Sequence, residues 1–489
     1  MSDAATSIET NIEKAERQAR ELFEFVRKSA HTGKAAHEVE RGLWTQLLAF
    51  GLMLLRAFFE FSGTGDEGEQ MVLENGRTLK RIGLRTRVYQ SIFGRIKIER
   101  FVYAEREKQK IEAIPLDARL KLPETITSFL LQGWNELLML EVPYARAIDM
   151  LEGIFGFRQS MNTLERNQET LSGTTEEFWK QRPQPAPVEE GSILVNSVDG
   201  KGVPMRSYET NGESGKKKMA IIGAVYNVAP HVRTPEDVLN ALFDKDKDEQ
   251  KAPRPSPIDK HVRACLKRDE ADSTKPQVDE MFDWIKHENE QRNPLQDKHT
   301  VVLIDGQENF WNATEQKITG DNVTEIIDII HVSEYVWEAG KLLHSDTETE
   351  IRPFVKTQIG RILHGEVDEV VDTLWEMSDQ LKGKAQERLE VICNYLSNNS
   401  DRMAYDAYLA EGFPIATGVI EGACRSLIKD RMERSGMRWV LSGARAMLSI
   451  RSVFFSGLWD EFMSFHINSE IKRLYNSEAA NDEQFSLAA

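Results

Sequence analysis

Three carboxylates and a row of cations are the residues of this chain best placed to do chemistry together. Asp199 and Asp305 each close an apolar run, Ser192-Ile-Leu-Val-Asn-Ser-Val-Asp199 and His299-Thr-Val-Val-Leu-Ile-Asp305. Glu421 opens the block Gly418-Val-Ile-Glu421-Gly-Ala-Cys-Arg425-Ser-Leu-Ile-Lys429-Asp-Arg431-Met-Glu-Arg434-Ser-Gly-Met-Arg438-Trp439. Carboxylate oxygens suit hard divalent cations. Two such ions about 3.5–4 Å apart make a water or a 3′-hydroxyl reactive and stabilise the leaving oxygen of a phosphodiester. From Glu421, the positions of Arg425, Ile428, Lys429 and Met432 share one side at helical spacing. Arg425, Lys429 and Arg438 could therefore clamp phosphate. Each residue also has a plainer reading. Asp before Gly is commonly a turn residue, Glu421 could simply favour a helix N-terminus, and the cations could be a solvated helix face. Trp439 could stack on a displaced base or fill a core.

The elements that must position these groups follow from periodicity. Residues 8–30 read as a polar amphipathic helix, and 36–62 as a more apolar helix expected to be buried in the core. Alternation from Thr86 to Tyr103 predicts a β-hairpin turning at Phe93-Gly94, with Arg87, Arg95, Lys97 and Arg100 as a possible basic face. Two helices, 143–156 and one beginning at Ser160, have the outline of a helix-turn-helix. Arg182-Pro183-Gln184-Pro185-Ala186-Pro187 is a stiff linker.

Strands are then expected at 192–199, 203–208 and 216–226, with Gly200-Lys-Gly202 as a turn and 230–272 as a polar surface excursion. A helix at 275–291, a strand at 299–305, a helix at 309–317 and a short strand at 323–331 follow. Three strands, helix, strand, helix, strand is the pattern of a ribonuclease H-like α/β domain. The predicted fold is thus an α/β core with a mixed sheet, a helical insertion, and a mainly helical N-terminal region holding a β-hairpin. The expected segments are 1–120 (helices and hairpin), 121–187 (helix-turn-helix-like region and linker) and 188–340 (first part of the core). They continue with 341–415 (helical insertion), 416–470 (the Glu421 helix and C-terminal helices) and 471–489 (a disordered tail).

Composition narrows the class. Of 489 residues, 29% are charged and 40% hydrophobic, and the net charge is −17. That sign excludes coating DNA by bulk electrostatics; nucleic-acid contact must use local patches. One such patch spans Arg425 to Arg451, with seven Lys or Arg against two acids, Asp430 and Glu433. Three scattered cysteines, Cys265, Cys393 and Cys424, make neither a zinc ribbon nor a disulfide framework. With no basic, apolar leader visible, a cytoplasmic protein without a membrane span is expected. Arg56 and Glu60 interrupt the apolar run from Leu43 to Phe61.

The Gly418–Trp439 block, with Val198-Asp-Gly-Lys-Gly202 and Ile304-Asp-Gly306, resembles the ISKra-type bacterial insertion-sequence transposases of the DDE class, over about residues 120–470. The resemblance implies a ribonuclease H-like catalytic domain that cleaves DNA at the element's terminal repeats and joins it to target DNA. It assigns Asp199, Asp305 and Glu421 to two Mg²⁺ ions, with Mn²⁺ able to substitute. Asp328-Ile-Ile-His331 looks like the Asp-x-x-His signature of related DDE enzymes, which puts Asp328 and His331 in supporting roles behind the ligands; a structural hydrogen bond at a strand end is the other reading of His331. The implied partners are double-stranded DNA, as terminal repeats and target, and further copies of the chain, at least a dimer. A nuclease of the same fold without strand transfer, and a transposase-derived, non-catalytic DNA-binding protein, are the alternatives.

Overall fold

The structure is a computed structural model that describes residues 10–73, 75–106, 111–182, 191–210, 212, 215–243, 254–266, 277–344, 348–434 and 436–475. The chain is mixed α/β, with a five-stranded mixed sheet and a small antiparallel sheet. It forms two compact units, Met1–Phe178 with Asp460–Ala489, and Trp179–Trp459. The expected linker at 183–187 lies outside the described residues, as does the tail from 476. The helix Trp459–Tyr475 runs through 471–475, which were expected to be disordered.

The first unit begins with α1 (Asn11–His31), where Thr10 and Glu13 form a reciprocal capping box. Next comes α2 (Ala36–Phe61), whose only fully buried residues are Ala57 and Phe59. The expectation of a buried core helix is therefore corrected. One flank of α2, through Leu52, Leu55 and Phe59, packs on Ile96, Ile98, Leu116 and Leu122, and much of the rest stays open. By length and composition α2 could also cross a membrane.

The small sheet has the order β1 (Gln70–Val72), β2 (Thr78–Ser91), β3 (Gly94–Ala104), all antiparallel. Ser91 pairs with Gly94, so the hairpin turns on Ile92-Phe93, one residue earlier than expected, and Gly94 takes φ 133°. The four hairpin cations do not share a face. In the register, Arg87 faces Ile98 and Arg85 faces Arg100, whereas Arg95 faces Gln90 and Lys97 faces Val88. Arg87 and Arg100 both pair with the buried carboxylate of Asp117, each at 2.8 Å, so they hold the fold.

Past α3 (Pro115–Arg119), α4 (Phe129–Glu141) and α5 (Tyr144–Phe155) lead to α6 (Met161–Ser172) and α7 (Thr175–Gln181). Gly156 ends α5 in the left-handed conformation at φ 74°, and the Ser160 hydroxyl caps α6. Met139, Ala147, Ile148 and Leu164 close this helical group.

The second unit is built on β4 (Ile193–Pro204), β5 (Lys217–Val228), β6 (Ile258–Leu266), β7 (His299–Ile304) and β8 (Val323–Ile327), in spatial order β6-β5-β4-β7-β8. β6, β5 and β4 pair antiparallel; β4, β7 and β8 pair parallel. Covered on both faces, β4 and β7 are buried without alternation, and both runs are largely apolar, with Asn196 and Ser197 as the polar residues of β4's buried part. Three strand expectations are corrected. β4 passes straight through Asp199-Gly200-Lys201-Gly202 to Pro204, paired with β5 along its whole length, so there is no turn at 200–202. β6 lies inside the segment expected to be a surface excursion, after α8 (Pro235–Phe243). β8 stops at Ile327, because Asp328 caps the following helix.

The helices α9 (Gln277–Arg292), α10 (Glu308–Lys317) and α11 (Ile329–Leu343) cover the sheet. They are followed by α12 (Glu348–Leu363), α13 (Val367–Ser378), α14 (Lys384–Asn398) and α15 (Tyr405–Ala410). This all-helical stretch has no separate core. Ile359, Val370, Leu389 and Ile392 belong to one buried cluster with Val301, Ile304 and Ile327 of the sheet. Each such fully buried side chain contributes about 1.5–3 kcal/mol. The chain then returns through α16 (Gly418–Cys424), a π-helical turn at Arg425–Lys429, α17 (Asp430–Met432) and α18 (Leu441–Phe455).

Candidate functional site

Strand register places the two aspartates. Val198 of β4 pairs with Ile304 of β7, and Ile304 pairs with Ile327 of β8. The next residue in each case is an aspartate: Asp199, Asp305 and Asp328. Neighbouring strands lie about 4.8 Å apart, so these three acids occupy one row across the sheet. Asp199 holds a central position inside β4, where its Oδ1 accepts from the Gly200 amide at 2.6 Å. Asp305 sits just past β7, with Oδ1 accepting from the Gln307 amide at 3.2 Å. Gly306 follows at φ 98°, and a Cβ there would lie 2.9 Å from both Ile327 and the Tyr395 ring. That glycine is thus required by backbone and by space. The Tyr395 hydroxyl donates to the Asp305 carbonyl at 3.0 Å.

Asp328 is fully buried and joins the row to two other elements. Its Oδ1 accepts from the Ile330 amide at 2.9 Å, capping α11, while Oδ2 accepts from the Thr417 hydroxyl and from His331 Nδ1, the latter at 3.1 Å. His331 is therefore in the first turn of α11, not at a strand end. The bond to Asp328 pushes the imidazole up to about 9, with Asp305 and Glu334 adding to the effect and burial opposing it. His331 is thus a cation at neutral pH. Burial also raises the Asp305 carboxyl above the usual range; the Gln307 amide and His331 pull it down, and Asp199 pushes it up. These mutual effects show Asp199, Asp305 and His331 sharing one electrostatic neighbourhood.

Glu421 is carried between two anchored points of α16. Thr417, tied to Asp328, accepts the Glu421 amide on its carbonyl at 3.0 Å. Cys424, one turn beyond Glu421, donates its thiol to Asp199 Oδ2 at 3.1 Å. Burial, with Asp199 next, pushes that thiol far up, so it stays protonated and does not compete as a thiolate ligand. The Glu421 side chain is exposed. Among the described residues, no group of three or more His, Cys, Asp or Glu side chains is arranged to hold a metal ion. The donor chemistry, three carboxylates, fits a hard cation such as Mg²⁺; Asp199 and Asp305 stand side by side, and Glu421 is brought to Asp199's side of the sheet by the Cys424 contact.

The cations divide by burial. Arg425, Lys429 and Arg438 are exposed, whereas Ile428 and Met432 are buried, so the single face expected from Glu421 onward splits at the π-helical turn, which widens the coil. Arg425 leans on Asp430 at 3.5 Å, and Arg438 reaches the Met437 carbonyl at 2.7 Å. Arg431 is buried, its guanidinium 5.1 Å from the Trp439 ring centre, and Trp439 donates to the Met432 carbonyl at 3.1 Å. Both are core residues here. Sequence reasoning missed Thr417, Cys424 and Tyr395. The first two stand four residues before and three after Glu421, a helical spacing that could have flagged them; Tyr395 gave no signal.

In comparisons with known proteins, no family model matches the chain and no curated protein sequence matches it.

Proposed function

We propose that this chain is a DDE transposase with a ribonuclease H-like core, of the ISKra-like kind. The strand order β6-β5-β4-β7-β8, antiparallel on one side of β4 and parallel on the other, supports that core. The observation that carries the reading is the register that sets Asp199 beside Asp305, with the Glu421 helix fastened to Asp199 through Cys424. Asp199, Asp305 and Glu421 are the residues that would hold two Mg²⁺ ions, or Mn²⁺ in their place. Once bound, such ions supply charge neutralisation at the scissile phosphate and a reactive water or 3′-hydroxyl.

The chain's own residues do the rest. Asp328 fixes His331 as a cation beside Asp305 and holds the start of α16. Arg425, Lys429 and Arg438 offer exposed positive charge to the DNA backbone, where an acidic protein needs it. Residues 121–187, with α5 and α6 as a helix-turn-helix-like pair, would recognise the terminal repeats in double-stranded DNA. Pairing two ends and a target calls for at least a dimer, acting in a bacterial cytoplasm.

The test is plasmid excision with Asp305→Asn. The reading expects excision to fall on the order of 10³-fold or more while DNA binding is retained. Unchanged excision removes Asp305 from the mechanism. Joining of precut ends to a target separates a transposase from a nuclease of the same fold.

A further inference from the structure

β4 carries a cation on the same face as its aspartate. Successive side chains of a strand alternate between the two faces of the sheet. Asp199, Lys201 and Val203 therefore share one face, and Val198, Gly200 and Gly202 the other. Gly223 is opposite Val198 in the register, and a Cβ on it would run into Met281 and Trp284 of α9. The Asp199 carboxylate, by contrast, accepts the thiol of Cys424 at the end of α16. Lys201 thus stands on the α16 side, about 7 Å along the strand from Asp199. Its cross-strand neighbour is Ala220, which carries no charge. Cys424 marks the place. After burial, Asp199 pushes its thiol up, Lys201 pulls it down and Glu421 pushes it up. Two of the three acids and one ammonium therefore gather around a single sulfur. The Lys201 side chain is half-buried, and among the described residues it has neither a hydrogen bond nor an ion pair.

We propose that Lys201 is a further catalytic residue, donating a hydrogen bond to a non-bridging oxygen of the DNA phosphate that is cut; this rests on the transposase reading of the same acids. A half-buried ammonium without a partner has given up part of its water for nothing in return, and an anion offsets that cost. Asp199 and Glu421 lie in its field without bonding it, and their oxygens are claimed by the metal-ligand role. The anion that remains is the substrate phosphate. In cleavage a water oxygen bonds to phosphorus, and the P–O3′ bond breaks with its electron pair going to O3′. The attacking water gives a proton to solvent, and O3′ takes one from solvent. Negative charge builds on the non-bridging oxygens on the way, and a fixed donor aimed at them stabilises that stage more than the starting state. Lys201 keeps its own protons throughout. Arg425, Lys429 and Arg438 are exposed and suit the flanking backbone instead.

The test compares the full chain with Lys201→Met, which keeps the apolar stem and removes the charge. Plasmid excision is expected to fall by about 10²-fold or more, with the urea unfolding midpoint unchanged. Binding is then measured in EDTA by fluorescence anisotropy. The probes are two uncut duplexes of the terminal repeat that flanks the coding region, differing only in a neutral methylphosphonate at the cut phosphate. The preference for the charged duplex over the neutral one is expected to be about 10-fold greater in wild type than in Lys201→Met. A lysine that only held the fold would weaken both duplexes alike. Lys201→Gln repeats the comparison with a polar tip in place. Equal preferences in wild type and both variants, or excision by both variants within ~threefold of wild type while Asp305→Asn has lost it, would overturn the inference and leave the transposase reading standing. Full excision by Asp305→Asn, or none by the wild type, overturns that reading and the inference with it.

Discussion

Asp328 is the point at which the candidate site can be tested without any ligand. One buried carboxylate caps α11, accepts the Thr417 hydroxyl and holds His331. His331 is moved from its ordinary 6.5 to about 9. At 1.36 kcal/mol per pKa unit the full shift is ~3.4 kcal/mol. The imidazole is 35% exposed, so solvent screening cuts this to ~1–2 kcal/mol. The folded-state value is raised, so this stability is complete below about pH 6.5 and disappears as pH climbs through about 9.

The perturbation is a double-mutant cycle of Asp328→Asn and His331→Gln, read by urea unfolding. The expected coupling is ~1–2 kcal/mol at neutral pH and near zero at about pH 10. In parallel, the His331 ring titration, followed by NMR, should fall from about 9 toward 6.5 in Asp328→Asn. A ring that still titrates within ~0.5 unit of wild type, or a coupling identical at both pH values, would refute the reasoning.

Two other outcomes follow from burial. Arg431→Ala removes a buried guanidinium from the Trp439 ring and should cost ~2–4 kcal/mol in urea unfolding, whereas Arg425→Ala on the exposed side should stay within ~0.5 kcal/mol. The same Arg425→Ala should weaken binding to all DNA sequences alike and lower the salt slope by about one; loss confined to one sequence would point to base contacts. His466 in the first unit is fully buried, bonded to the Thr174 hydroxyl at 2.9 Å, and driven down by burial to about 4. Its folded value lies below the unfolded one, so stability is complete above about pH 6.5 and is lost as pH falls toward 4. That loss is ~3 kcal/mol, and urea midpoints across this range should show it in the wild type and not in His466→Gln.

The sequence exposed the parts of the site that depend on apolar runs. β4 and β7 were legible because strands covered on both faces read as near-continuous hydrophobic stretches, interrupted in β4 by Asn196-Ser197, and each run points straight at its aspartate. The glycines after those aspartates misled in one case and informed in the other. Gly306 sits at φ 98° where a turn is needed, but Gly200 is an ordinary strand residue paired with Ile221, so Asp-Gly marked a turn only once. β6 was hidden because Ile258-Asp-Lys at its start is polar and exposed. α2 was misjudged because mean apolarity does not say which faces are covered.

What no local pattern could supply is the closure of the site. Thr417 bonds a residue 89 positions earlier, and Cys424 one 225 positions earlier. Neither partner shows any periodicity linking it to the other. These two bonds, with the buried Ile420, Ala423, Leu427 and Ile428 of the same continuous helical stretch, fix where Glu421 lies. Asp328 ties its start and Asp199 its end. The same carboxylates that form the row across the sheet therefore also orient the third acid. A change at Asp328 or Cys424 should shift Glu421 without touching it, and the position of Glu421 is a property of the closed ring rather than of the Gly418–Trp439 block that first drew attention to it.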